Sequence, residues 1–425
     1  MDHGKSEEKI AELEIINKKQ LDSDHDGKCD NEYNDVCRNQ QSPFKKQTFI
    51  ASGTFMLTLA AGATAGFSAV LIPPLQHATG KHKYSTEMIS WVAAISSLAL
   101  LFGNLISGYV MERFGRRTAQ ILLSIPFVGG WVIIGLTNNI GLILLGRFIT
   151  GFCQGWLAPL GPVFVGEISS PVHRGFFLAS LSLAISGGVF MSHLLGTYLT
   201  WSTASLLCSL FPLIGGIIIY FAPESPAWLA SKNRIDECIV SFQWYRGESP
   251  KMQVELESLI AEETKKDKSQ SKITTLRRNI KKPEFWKPLG IMTTFFVITQ
   301  LSGVNVICAY TPDMMKALIG SNSNTYTAML SIDILRCVSL GIACVLFRKL
   351  SRRSMAIFSG SITSLSLIML ALYLYLIDKG YIKHLLPMIS LGLMAINIIV
   401  SNLGINPLPW NMVGELFATD TKGIG

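Results

Sequence analysis

Long apolar runs separated by short polar connections dominate the chain. Stretches free of Asp, Glu, Lys and Arg cover 48–80, 88–111, 118–146, 148–166, 175–222, 288–312, 354–377 and 385–414. Each is near or above the roughly 20 apolar residues that carry a helix across a hydrocarbon core. The 175–222 run is long enough for two passes, with a turn near Gly196–Ser202, and 326–347 adds another although it holds Asp333 and Arg336. The pattern predicts ten membrane helices: six, a polar segment over 223–284, then four. Within that segment, Met252, Leu256, Leu259 and Ile260 predict a short amphipathic helix.

Composition sharpens this picture. Of 425 residues, 49% are hydrophobic and only 16% charged, with a mean hydropathy of +0.37, whereas a soluble domain carries charge on about a quarter of its residues. An ordinary cytosolic enzyme, a secreted disulfide scaffold and a disordered chain are thereby excluded. Five of the eight cysteines (Cys153, Cys208, Cys308, Cys337 and Cys344) lie in apolar runs, and no Cys-x-x-Cys pair is present. No catalytic triad, metal cluster or phosphate loop is present, so no enzyme activity, cofactor or metal is expected. The net charge of +8 fits membrane anchoring rather than nucleic acid. Connections after helices two, four and eight carry Arg113, Arg116, Arg117, Arg174, Arg348, Lys349, Arg352 and Arg353. Basic residues mark the cytoplasmic side, which predicts a cytoplasmic N-terminus and a cytoplasmic central segment.

The expected organisation is a polar cytoplasmic tail (1–47), a six-helix half (48–222), a cytoplasmic linker (223–284) and a second half (285–425). An internal repeat supports the two halves. Glu167 and Arg174, followed by Gly175, match Glu415 and Lys422, followed by Gly423, and each set lies downstream of a doublet, Arg116–Arg117 or Arg352–Arg353. Two helices follow this point in the first half, so the second is expected to be truncated by about two passes.

Several motifs carry a family resemblance. Gly108 to Arg117, with Glu112, Arg113 and Gly115 inside it, resembles the loop signature of the major facilitator superfamily. Gly151 to Gly155 with Phe164, Glu167 and Arg174 is similar to the sugar porter signature, as is Pro223-Glu224-Ser225-Pro226 after helix six. Gln300-Leu-Ser-Gly303-Val-Asn305 and Pro407-Leu-Pro409-Trp410 with Gly414-Glu415 resemble the sugar motifs of helices seven and ten. The resemblance runs from about residue 48 to the end and is strongest to the insect facilitated trehalose transporter-like group. It implies an all-α integral membrane protein with the fold of two six-helix halves, of which ten helices are present here.

Chemistry gives these motifs roles. Neutral amides replace sugar hydration without charge, and an aromatic face stacks on a pyranose ring. Gln300, Asn305 and Trp410, with Tyr310 beyond them, are therefore the substrate-binding candidates; interhelical hydrogen bonding is the competing role for the amides. Glu112, Arg113, Arg116, Arg117, Arg147, Glu167, Arg174, Glu224, Arg352, Arg353 and Glu415 are candidates for a cytoplasmic charge network that breaks when that side opens, with interface anchoring as the alternative for the arginines.

Departures from the pattern bear on specificity. Ser182 and Thr299 stand where sugar porters commonly carry Gln, Ala227 replaces the usual Arg after helix six, and helix one, around 62–74, has no carboxylate of the kind proton-coupled porters carry. Asp333 and Arg336, at i, i+3 on one helix face, are able to neutralise each other, and they are set outside the expected site. Asp22-Ser-Asp24-His-Asp26-Gly27 opens like a calcium loop, but Tyr33 stands where the bidentate Glu belongs. The basic run over 265–282 is able to touch anionic lipid.

The resulting expectation is a facilitative sugar transporter for trehalose or a hexose. It works as a monomer in the plasma membrane, by alternating access, with a sugar and lipid as its partners and no nucleic acid. A non-transporting sensor or regulatory subunit, and a proton-coupled symporter, are the alternatives.

Overall fold

The computed structural model describes residues 43–77, 84–268, 283–319, 325–379, 381 and 387–409. Every regular element among them is helical. Five long helices come first: α1 (Pro43–Gln76), α2 (Thr86–Phe114), α3 (Arg116–Leu136), α4 (Ile140–Ile168) and α5 (Pro171–Tyr198). Helices α6 (Trp201–Cys208) and α7 (Leu210–Tyr220) together form one further span. Three shorter helices follow, α8 (Pro226–Ser231), α9 (Ile235–Arg246) and α10 (Pro250–Lys268). Then come α11 (Pro283–Leu301), α12 (Val304–Ile319), α13 (Thr325–Lys349), α14 (Arg352–Asp378) and α15 (Pro387–Leu403). Nine spans among the described residues are long and apolar enough to cross a membrane, and a shorter apolar helix, Met388–Leu403, makes a tenth element.

Helix starts follow side-chain capping. Ser85, Asn139, Thr200, Ser225 and Ser351 each accept from a backbone N–H in the first turn of α2, α4, α6, α8 and α14. One boundary differs from the charge-delimited reading. Helix three ends at Leu136 and helix four starts at Ile140, because Thr137 to Asn139 supply the extended residue and the cap. Arg147 therefore lies two turns inside α4 rather than between two helices.

Helices α1 to α4 and α6 share one apolar core that includes Leu57, Phe67, Leu123, Phe127, Trp131 and Leu160. Helices α12 to α15 share another, around Ile307, Met315, Met329, Ile332, Met394 and Ile398. The amphipathic helix expected near Met252 is α10, whose Leu256 and Ile260 pack on Trp228 and Phe242 of α8 and α9. The outward face of α2 exposes Leu98, Leu101, Phe102, Leu105 and Ile106. An apolar face of that extent suits lipid, not water. The glycine signature of helix four has a packing cause. A Cβ on Gly151 or Gly155 would meet the carbonyl oxygens of Ser96 or Leu100 at 2.3 and 2.0 Å, so glycine alone lets α2 and α4 approach this closely.

Candidate functional site

Polar side chains gather at the basic ends of the first helices. The α2–α3 junction is Gly115, with φ +96°. It has no side chain to cap α3, whose first amides need acceptors. Glu224 supplies them from 108 residues away: its Oε1 accepts from the amides of Arg116 and Arg117 at 2.9 and 2.8 Å, and its Oε2 from that of Thr118 at 3.3 Å. A carboxylate at a helix N-terminus also meets the positive end of the dipole. A Cβ on Gly115 would lie 2.3 Å from Glu224 Oε2, so cap and glycine require each other.

Arg116 turns its guanidinium to Glu167, with Nε 3.0 Å from Oε2, and Ser225 donates to the same carboxylate at 2.5 Å. The α3, α4 and α8 ends are thus one polar knot. The three short helices are strapped to it. Trp228 donates to the carbonyl of Glu112 at 3.0 Å, Ser241 to that of Glu224 at 2.5 Å, and Tyr245 to that of Pro223 at 2.9 Å. Burial, and the Glu224 carboxylate beside it, push the Tyr245 phenol well above its usual range. Arg246, absent from the sequence-derived set, is buried, donates to the Ser169 carbonyl at 3.0 Å and pairs with Glu255. An arginine closing an amphipathic helix gave no signal of this in the sequence.

Other candidates lie elsewhere. Arg113 is exposed and donates to the Tyr109 hydroxyl at 2.9 Å, with its guanidinium over the Tyr109 and Phe114 rings. Arg117 reaches the Tyr220 carbonyl at 2.6 Å, and Arg174 stands within electrostatic reach of Glu167, Glu255 and Arg246. The Glu112 side chain is exposed. Arg352 and Arg353 open α14 behind the Ser351 cap. Glu415 lies outside the described residues.

Arg147 does not join this network. It is fully buried about 10 Å along α4 from the opposite end, taking 1.5 Å per residue. There it donates to Thr64 O at 2.8 Å, Ser68 Oγ at 2.7 Å, Ser96 Oγ at 2.9 Å and Val92 O at 3.3 Å. Five donors in a rigid fork let one arginine tie α1, α2 and α4 together.

A second buried polar group joins α5 to α13, two helices that pack together. His193 Nδ1 lies 2.5 Å from Asp333 Oδ2, and Asp333 Oδ1 lies 3.2 Å from Arg336 Nη1. The i, i+3 neutralisation expected of Asp333 and Arg336 is therefore present, and His193 joins it from a distant helix.

The substrate candidates surround a break in one span. Helix α11 ends at Leu301, Gly303 takes φ +77°, and α12 begins at Val304. Gln300 is in the last turn of α11 and is exposed; Asn305 is in the first turn of α12. Thr299 donates to the Ile405 carbonyl at 3.1 Å, which ties the break to the end of α15. Tyr310 sits at a second irregularity, φ −118° and ψ 21°, and packs against the core of α1 to α6. Trp410 lies outside the described residues.

Comparison with known proteins agrees with this architecture. Residues 46–425 match the family model described as sugar (and other) transporter. The chain is 28% identical to the facilitated trehalose transporter Tret1 of Apis mellifera ligustica over 96% of this chain and 82% of that protein. It is 29% identical to Tret1 of Drosophila pseudoobscura pseudoobscura over 84% of this chain but 41% of that protein. Among solved structures, the partially occluded inward open form of the Escherichia coli xylose transporter XylE superposes with a TM-score of 0.70 at 16% identity, covering 89% of each chain. XylE bound to 6-bromo-6-deoxy-D-glucose, described as a major facilitator proton:xylose symporter, gives 0.71 at 17% identity, over 88% of this chain and 84% of that one. The fold is that of the major facilitators, and the chain belongs to the sugar (and other) transporter family.

Proposed function

We propose that this protein is a facilitative sugar carrier working by alternating access between α1–α7 and α11–α15. The observation that carries the reading is the broken span. Discontinuous helices at the interface of two repeats are where transporters place substrate sites, and here the break at Gly303 is flanked by Gln300 and Asn305. Neutral amides suit a neutral polyol. Trp410 is kept as the candidate stacking residue on the strength of its motif alone, and Tyr310 is proposed to occlude the site from one end. Trehalose is the first substrate to test because the insect relatives are named for it, and a hexose is the second. The positive-inside rule supports basic helix ends on the cytoplasmic side, with the N-terminus proposed on that side and the plasma membrane as the proposed residence. No charged substrate and no chemical conversion is required, and a monomer suffices.

Uptake of radiolabelled trehalose and glucose into transporter-null cells, with and without a proton ionophore at equal pH on both sides, tests this. Saturable uptake insensitive to the ionophore, and reduced at least about tenfold in Gln300→Ala, supports the carrier. Absence of uptake of either sugar by a surface-expressed protein refutes it in favour of a sensor. Collapse with the ionophore refutes the facilitative mode.

A further inference from the structure

His193 is fully buried, and its partners Asp333 and Arg336 are buried as well. Counting helical rise from the ends opposite the basic side, His193 lies about 8 Å into α5 and Asp333 about 12 Å into α13. Their bond joins the two proposed moving bodies on the outer side. Tyr310 of α12, packed on the α1–α6 core, is a second contact in the same region. Described parts of the two bodies are therefore in contact here.

The hydrogen bonding of His193 fixes a proton count. Nε2 lies 3.1 Å from the Gly66 carbonyl oxygen, which only accepts, so Nε2 carries a hydrogen. Nδ1 lies 2.5 Å from Asp333 Oδ2, and two lone pairs do not approach so closely without a proton between them. That proton belongs to an imidazolium donating to a carboxylate, or to a carboxylic acid donating to a neutral ring. In either form the pair holds one more proton than a neutral histidine with an ionised aspartate. Gly66 has no side chain to separate the ring from its carbonyl: a Cβ there would lie 3.2 Å from Nε2.

Among the described residues, the surroundings offer no substitute for the proton. From α13, Arg336 faces Asp333 Oδ1, yet neither Oδ1 nor Arg336 Nη1 makes an aligned hydrogen bond. Cys308 of α12 faces Arg336, and Cys337 lies beside Asp333 and Ser186. Ser192 of α5 donates to its own helix. On the α1 side the next charge is Arg147, committed to Thr64, Ser68, Ser96 and Val92.

We propose that His193 and Asp333 form a proton-held outer gate, which closes the outer side of the carrier only when the pair carries the extra proton between Nδ1 and Oδ2. When the gate opens outward, that proton leaves to external water; when it closes, a proton from external water fills the place between Nδ1 and Oδ2. Because it is taken from and returned to one side, the proton alters the conformational balance without driving uphill transport. The gate gains its meaning from the carrier reading, but its test does not use sugar.

The full-length protein, with Cys29→Ser and Cys37→Ser, would carry nitroxides at Tyr198→Cys and Tyr326→Cys, at the outer ends of α5 and α13. Distances would be read by electron–electron double resonance in lipid nanodiscs from pH 5.5 to 8.5. The expected result is a short-distance population that dominates at low pH and falls relative to the long one by about tenfold, the scale of one unmade buried hydrogen bond. In Asp333→Asn the amide donates to a neutral Nδ1, so the outer side stays closed across the range. His193→Gln, which cannot donate to both acceptors along the ring's two directions, shows the open distance throughout. A wild-type distance distribution that does not change with pH, or that opens in acid, overturns the gate, as does an Asp333→Asn protein that titrates like the wild type. Should either variant fail to fold, the wild-type titration decides alone. Failed sugar uptake together with a pH-dependent distance would remove the substrate reading and leave the gate standing.

Discussion

Two polar knots in this molecule handle buried charge in opposite ways. At the basic helix ends, Glu224 and Glu167 are surrounded by donors: three amides of α3, two hydroxyls and the Arg116 guanidinium. Between α5 and α13, Asp333 has one close hydrogen bond and one loosely aligned arginine. The first arrangement lies within α1–α9 and has the bonding expected of a strut, because each carboxylate is satisfied several times over. The second spans the two proposed moving bodies and depends on a single proton. A transporter needs both kinds: rigid bodies that hold their shape, and a contact between them that breaks at modest cost.

Substitutions can separate the two. Glu224→Ala should have the largest effect, since it strips the cap from α3. A destabilisation of about 3 kcal/mol is expected from the loss of a charged acceptor of several buried donors, read as a lowered Tm in detergent with uptake lost in parallel. Gly115→Ala should approach it, through the clash with the same carboxylate. If Glu224→Ala instead left Tm unchanged and altered only transport, the strut would be a gate.

Arg147→Lys comes next. Lysine keeps the charge but cannot serve the three helices that the guanidinium joins, and about 2 kcal/mol of stability should be lost. Gly155→Ala should cost about 1–3 kcal/mol by pushing α2 from α4; both are measurable by the same melting assay. Arg113→Ala, in an exposed side chain, should change stability by less than about 0.5 kcal/mol. Cys238 gives the smallest signal. Burial raises its pKa to about 11, so its thiolate is scarce at neutral pH and it should escape alkylation until the short helices unfold, as mass spectrometry of labelled peptides would show.

Much of the fold was readable from apolar run lengths, because a lipid interior imposes a minimum helix length whatever packs against it. The misplaced start of helix four shows where that reading is weak. A charge ends the uncharged run at Arg147, whereas capping chemistry at Asn139 sets the helix start. The helix-end network was legible in part: Glu167, Glu224 and Arg116 stand in motifs and do meet, while Arg246 had no motif to announce it.

The sequence by itself determined which segments cross the membrane, which helix ends are basic, and that Arg147, Asp333 and Arg336 needed company in an apolar setting. Their cost follows from residue type and surroundings alone. Only the tertiary structure decided who the company is. Arg147 joins hydroxyls and carbonyls on α1 and α2 instead of the carboxylates at the other end of its own helix. Asp333 meets a histidine 140 residues away. A buried charge must find donors or acceptors within about 3 Å, and helix periodicity predicts neighbours on its own helix only. Which residue of which other helix comes that close is fixed by how the helices cross.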